Sequence, residues 1–453
     1  MKKAEITAFL SLIFILLVSF IGSVSDAASI QVAKNFRRAE TEKAMECIFA
    51  EYQKELLEEY DIFALDAGYE SGEYKENLLY KRLEYYGAVN SDKSIERIEF
   101  LTDNSAKAFY EQVSYYMEHK YGLDLVEGAL SNTGFWEEQE SASEEYMEEE
   151  SQNKEYLEGL LAENEGELSS ENNPIAHVDA LKKTPILNLV MPKEMTVSEK
   201  QAELSELPSG RELNRGYGDF SDEAKDSAVT DKLLFGEYIL EHFQSFTDKA
   251  EGILDYEVEY AIAGKKTDRE NLQAVVNKLL LLRFAPNYAY LQSSAEKRAE
   301  AEGLALTLCS ILTVPAITEA VTQGILLAWA FAESIVDIRA LLDGSRIPFA
   351  KDSESWQLSL SGLLKLGEYG DVNDGKDSAE GLSYEEYLKI LLFLNNKEET
   401  AMRCLDLIEM DLQKIKGLDF FKADLCVTKL EVENRCSFRR GIIYTFPTYF
   451  GYQ

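Results

Sequence analysis

Nineteen residues from Ile6 to Val24 carry no charge and are rich in Ile, Leu, Phe and Val. Lys2 and Lys3 precede the run, and Asp26 follows it. A helix rises 1.5 Å per residue, so the run is about 28 Å long, close to a hydrocarbon core of roughly 30 Å. It predicts a transmembrane anchor over residues 1–25, set in a lipid bilayer. The competing reading is a cleaved secretory signal, with Ser25 and Ala27 at the small-residue positions before a cut ahead of Ala28 and secretion after cleavage near Ala27. The run is longer than the roughly 7–15 residues of a usual signal core, which favours the anchor.

The pattern beyond the run extends it. No Gly or Pro occurs between Gly22 and Gly68. Ala33, Phe36 and Ala39 recur at three-residue spacing, and Ala44, Ile48, Tyr52, Leu56 and Tyr60 at four, which is one face of a helix. One helix is predicted from about residue 6 to about residue 60, its first third in lipid and its remainder carrying a soluble domain. Within the span, Phe9, Leu12, Leu16 and Phe20 are the residues assigned to packing against neighbouring helices. Small Ser11, Ser19 and Gly22 permit close approach. Lys34, Arg37, Arg38 and Lys43 follow the span, so a positive-inside count does not place the N-terminus in the cytoplasm. The short two-lysine tail nevertheless resembles a secretory n-region, and the large C-terminal part is expected to be extracytoplasmic.

Charge narrows the partners. The chain holds 46 Lys and Arg against 82 Asp and Glu, a net charge of −36. Nucleic acid is excluded, because phosphate binding needs clustered cations. The overall charge also argues against polybasic attachment to anionic lipid. Trp136 to Glu171 contains 14 Glu and one Lys, and residues 172–229 hold four of the eight Pro. Such composition predicts an acidic disordered insertion or linker over residues 131–229, because it buries too little apolar surface to offset ordering entropy.

The remainder reads as α+β and predominantly helical, with residues 26–130 and 230–453 on either side of the acidic segment. Segments 94–101, 254–262, 425–434 and 440–447 alternate as strands and are expected to form one small antiparallel sheet. Thr267 with Glu270 and Ser383 with Glu386 are capping boxes. The first opens a helix expected to stop before Pro286. Helices are also expected over 105–121, 229–246, 293–313, 316–342 and 399–416. Leu304 to Ala332 is assigned to a soluble core and not to a second span, because Pro315 breaks it and Glu319 and Glu333 lie within or beside it. Arg339 is a candidate partner for those acids. One interrupted domain and two domains both remain open, with the interrupted arrangement preferred.

Lys3-Ala4-Glu5-Ile6-Thr7-Ala8-Phe9-Leu10-Ser11-Leu12 opens the chain, followed by Glu51-Tyr52-Gln53-Lys54-Glu55-Leu56-Leu57-Glu58-Glu59-Tyr60-Asp61-Ile62-Phe63. Tyr256 to Lys265, Ala328 to Ser334 and Gly381 to Leu388 complete a set of segments. Together they resemble an uncharacterised family of membrane-anchored proteins of Firmicutes that accompany Tad (tight adherence) pilus and type IV pilus-like secretion genes. The resemblance covers most of the chain outside about 131–225 and carries over no catalytic residue. It implies a pilin-like anchor and partners among pilus or secretion-apparatus proteins. The prepilin pattern itself is not met: a cut after Ala4 would place Phe9, not Glu, at the fifth mature position.

Motifs for chemistry are missing from the sequence. There is no Gly-x-Ser-x-Gly, His-Glu-x-x-His or phosphate loop, and Gly264 to Thr267 lacks the upstream glycine of a P-loop. Asp371 to Asp377 misplaces the glycine of an EF-hand and has Leu382 at its twelfth position. His119, His177 and His242 share no metal-like spacing. Of the five cysteines, Cys426 and Cys436 could meet across a terminal hairpin. No catalytic, cofactor or metal site is therefore expected. The chain reads as a non-enzymatic structural component, or alternatively as a membrane-tethered module that binds or senses an envelope ligand.

Overall fold

The uncharged run is helical, but the helix that contains it ends earlier than its apolar stripe predicts. The computed structural model describes residues 2–452 except 70, 123, 170, 193–194, 219, 221–228, 249–251, 310–313 and 369–370. One helix spans Lys2–Phe49, and a separate helix follows at Lys54–Tyr60. Between them Gln53 donates its backbone N–H to Ala64 O at 2.8 Å. The Glu51 carboxylate accepts from Arg82 Nε at 3.0 Å and Tyr86 Oη at 2.6 Å. These partners lie far along the chain, so tertiary contacts override a helical propensity that has no local stop signal.

The chain divides into two compact units, and they do not follow chain order. The first comprises Met1–Gln112, Arg211–Asp226 and Ile408–Gln453; the second comprises Val113–Gly210 and Ser227–Leu407. The expected segment 230–453 is therefore split, with its last strands returning to the N-terminal part.

The first unit contains β1 (Leu65–Asp66), β2 (Asp92–Phe100), β3 (Cys426–Ser437) and β4 (Ile443–Gly451), all antiparallel. β3 is central, with β2 along one edge and β1 then β4 along the other. Leu430 sits opposite Ile98 and Phe450, and Val432 opposite Ile95 and Thr448. Along β3 Leu430, Val432, Asn434 and Cys436 are buried while Glu433, Arg435 and Ser437 are exposed, the period-two alternation of a half-buried strand. Its apolar face packs with Ala44, Met45, Ile48 and Phe49 of the long helix and Leu79 and Leu83 of the Glu76–Tyr85 helix. Cys426 and Cys436 lie ten residues apart on this one strand, about 33 Å by strand rise. They cannot bridge across the hairpin, and all five cysteines are free.

Segment 254–262 is not the strand its alternation predicts. Glu257–Ala263 is a helix closed by Gly264 at φ +61°, a left-handed position that glycine takes at low cost. Every residue from Val258 to Ile262 is buried, Glu259 included, and a short run buried on all sides carries no period that separates strand from helix. The sheet takes Leu65–Asp66 in its place.

Two further differences lie in the second unit. The capped helix runs Asp268–Ser293 with Pro286 inside it. Phe284, Ala285, Asn287 and Tyr288 are buried around the proline, so packing outweighs the lost N–H donor. The acidic segment also contains helices: two short ones at Pro174–Leu181 and Ile186–Val190 and, where its glutamates are densest, the 31-residue helix Thr133–Glu163. Trp136, Ser143 and Leu157 are its buried residues, and their separations are multiples of seven, so they share one face. That face packs on the helices Asp268–Ser293 and Pro315–Leu342. Ser143 Oγ donates to Leu281 O at 2.7 Å, and the Tyr146 ring stands edge-on to Tyr288 at 4.9 Å. The glutamates occupy the rest of the circumference. The Pro315–Leu342 helix is almost wholly buried, as a core helix is. Among the described residues only the N-terminal helix is long and apolar enough to cross a membrane.

Candidate functional site

The long helix has two regimes. Phe9, Leu12, Leu16 and Phe20 are each about 60% exposed, as are their apolar neighbours. No part of the first unit covers them. Ser11 Oγ donates to Thr7 O and Ser23 Oγ to Ser19 O, both at 2.9 Å, so these hydroxyls are satisfied inside the helix. Gly22 has open space where a Cβ would stand. All seven residues singled out for the span thus belong to one bare rod. From Thr41 onward the same helix enters the core, with Thr41, Ala44, Met45, Ile48 and Phe49 buried.

β4 runs beside the intervening stretch. At its far end the Phe450 ring lies 4.5 Å from Phe49. Near its start the Lys34 ammonium lies 4.9 Å from the centre of the Tyr444 ring. In the β3–β4 turn, Arg440 pairs with Asp26 at 2.5 Å. The turn therefore sits level with the helix two residues past the uncharged run.

A buried, charge-balanced cluster of ionisable groups lies in the second unit. Glu333 and Asp337 lie one turn apart on the Pro315–Leu342 helix. The Lys351 ammonium is 2.7 Å from a carboxylate oxygen of each, and the Arg283 guanidinium is 3.0 Å from Asp337. Arg283 also donates to Phe349 O and Tyr387 Oη, and Asn287 donates to Asp337 at 3.0 Å. Glu333 accepts from the backbone of Gln357 at 3.0 Å and Leu358 at 2.8 Å. Burial raises the Glu333 pKa above the usual carboxylate range, and Lys351 offsets this only in part. Burial works the same way on Asp337, but Lys351 and Arg283 together outweigh it and hold the group ionised. Both acids and both bases have no exposed side-chain surface. The arrangement clamps the 347–358 segment onto the helix, and it presents no group to a substrate.

Glu319 is exposed, and Arg339 is not the partner of Glu333. Arg339 pairs with Asp371 at 2.7 Å. Asp371 also accepts from the backbone N–H groups of Gly367 and Asn373. Its carboxylate thus closes the turn that resembled a calcium loop. The sequence signal for the true cluster was the spacing of Glu333 with Asp337 and of Arg283 with Asn287, both i,i+4 inside apolar helices. The histidine rings bond backbone carbonyls, His119 at Tyr115, His177 at Leu366 and His242 at Tyr238. Among the described residues no group of three or more His, Cys, Asp or Glu is placed to hold a metal ion.

Residues 164–438 match a family of unknown function (DUF5702). No curated protein and no solved structure matches the chain.

Proposed function

Since the chain belongs to the DUF5702 family, whose description names no activity, we propose from its architecture, and from the resemblance of its sequence to proteins that accompany Tad pilus genes, that it is a non-enzymatic, membrane-anchored structural component of a surface or secretion apparatus of the Tad or type IV pilus kind. The observation that carries this reading is the unbroken helix Lys2–Phe49, bare over its uncharged part and built into a folded core at its end. Anchor and folded unit are joined without a linker, as suits a part that must hold a fixed attitude to the bilayer. Phe9, Leu12, Leu16 and Phe20 supply apolar surface for neighbouring helices, and Ser11, Ser19 and Gly22 permit close backbone approach. The charge-balanced cluster of the second unit supports a non-enzymatic role, because Glu333 and Asp337 are spent on cations and backbone amides. The two-lysine tail supports an extracytoplasmic C-terminal region.

The test is affinity isolation of the full-length protein from detergent-solubilised membranes, followed by identification of what copurifies. Pilin, platform or secretion-apparatus proteins are expected, and Leu16→Glu is expected to release them. Recovery as a soluble secreted protein cut near Ala27, with no such partner, sinks the reading.

A further inference from the structure

Net charge argues against an attraction to anionic lipid, but the fold sorts that charge unevenly. Residues 6–43 hold Asp26, Glu40 and Glu42 against Lys34, Arg37, Arg38 and Lys43. Arg37 and Arg38 pair with Glu40 and Glu42, so Lys34 is the cation this stretch adds nearest the span. Residues 435–453 hold Arg435, Arg439 and Arg440 and no acid at all. These two stretches, far apart in sequence, lie side by side because β4 follows the long helix. The adjacent start of β2 adds Asp92 and Lys93, which cancel. One end of the first unit is therefore cationic in a chain of net charge −36.

Its height is fixed by the Arg440–Asp26 pair. Asp26 lies two residues beyond Val24, about 3 Å along the helix axis. Headgroup layers add roughly 5–7 Å to each side of the hydrocarbon core, so Asp26 and the turn bonded to it fall within that layer. The turn is tight: Phe438 N–H donates to Ile442 O at 2.8 Å, and Arg440 and Gly441 both adopt positive φ. It projects exposed Arg439 and Arg440 together with Ile443, which is 52% exposed. A cationic tip with an apolar neighbour is the composition that rests at a headgroup boundary, charge to phosphate and hydrocarbon inward.

We infer that the β3–β4 turn is a second membrane contact, in which Arg439, carried beside the Asp26-paired Arg440, binds anionic phospholipid headgroups of the bilayer that holds the helix. The inference rests on Ile6–Val24 being a span. With two points of attachment, the first unit is prevented from tilting about its anchor.

The experiment places one tryptophan at each level of the full-length protein in vesicles, and subtracts the wild-type signal of Trp136, Trp329 and Trp356. Ile13→Trp is read with bromine on the lipid acyl chains, and Ile443→Trp with a nitroxide on the phosphatidylcholine headgroup. Vesicles are phosphatidylcholine alone or with phosphatidylglycerol. Both residues are expected to be quenched when phosphatidylglycerol is present. Arg439→Gln, a surface change, is expected to lower the bound-to-free ratio of the tip about fivefold, the equivalent of roughly 1 kcal/mol per cation at an anionic surface. Quenching at residue 13 without quenching at 443, or quenching at 443 indifferent to both phosphatidylglycerol and Arg439, overturns the headgroup contact alone. Quenching at neither position overturns the span, and the contact with it.

Discussion

Replacing Glu259 by Gln should remove a pH dependence that one carboxyl imposes on the second unit. Glu259 is wholly buried on the short helix Glu257–Ala263. Its Oε1 accepts from Phe246 N at 2.9 Å and Tyr384 Oη at 2.8 Å, while its Oε2 has no hydrogen-bond partner among the described residues. Burial, with a smaller contribution from nearby Asp268, pushes its pKa up to about 7 from 4.5. The folded state therefore keeps a proton that the unfolded chain has lost between those values. The carboxyl's contribution to stability is full below about pH 4.5, declines as pH rises, and is gone once pH passes about 7. At about 1.4 kcal/mol per pH unit the window amounts to roughly 3 kcal/mol. Gln has the shape of the protonated acid and no proton to lose. The assay is urea unfolding of full-length protein in detergent at several pH values across this window and above it. Trp136, Trp329 and Trp356 report the unfolding, and all three lie in the same unit as Glu259. The stability of wild type relative to Glu259→Gln should fall by roughly 3 kcal/mol up to about pH 7 and level off above it. Parallel curves for the two proteins refute a buried neutral carboxyl.

Lys351→Met leaves Glu333 and Asp337 with Arg283 as their remaining cation, and should cost about 3–5 kcal/mol in the same unfolding assay. A loss below about 1 kcal/mol would place the ammonium in water, as at a surface pair. Trp136→Ala removes the largest buried side chain of the acidic helix, which stands edge-on to Phe393 at 5.7 Å, and should cost about 3 kcal/mol. No change in the unfolding midpoint would return the segment to a solvated linker.

Legibility followed the kind of signal each segment carries. The uncharged run, the capping boxes at Thr267 and Ser383, and the terminal hairpin all rest on local rules, and the structure contains each of them. Errors arose where composition or a short pattern stood in for burial. In the acidic helix 11 glutamates hide a face made by three residues at multiples of seven, and charge summed over a segment does not say where it points. In segment 254–262 Tyr256, Val258, Tyr260 and Ile262 alternate as a strand would, but Glu259 and Ala261 between them are buried too. Glu333 was recognised as a residue needing a partner. Its partner Lys351 lay beyond the end of the helix, where no i,i+4 rule reaches.

That Val113–Gly210 and Ser227–Leu407 form a unit of their own left no local mark in sequence, whereas the pairing of the 94–101 and 425–447 segments was expected from their alternation, and that pairing makes a prediction about dependence. β3 is the strand to which β1, β2 and β4 all pair, and it comes from the end of the chain. Until it is in place, Ala44, Met45, Ile48 and Phe49 of the long helix lack the face formed by Val427, Leu430 and Val432. Contacts of such sequence separation close late, because loop entropy must be met first. Deleting Ala423–Gln453 removes β3 and β4 yet leaves Val113–Gly210 and Ser227–Leu407 whole. Limited proteolysis of the truncated protein in detergent should cut freely between residues 41 and 112, while the emission of the three tryptophans stays that of the folded protein. Protection of 65–100 would mean that β1 and β2 do not need β3. Loss of the folded tryptophan emission would mean that the second unit does not stand without the first.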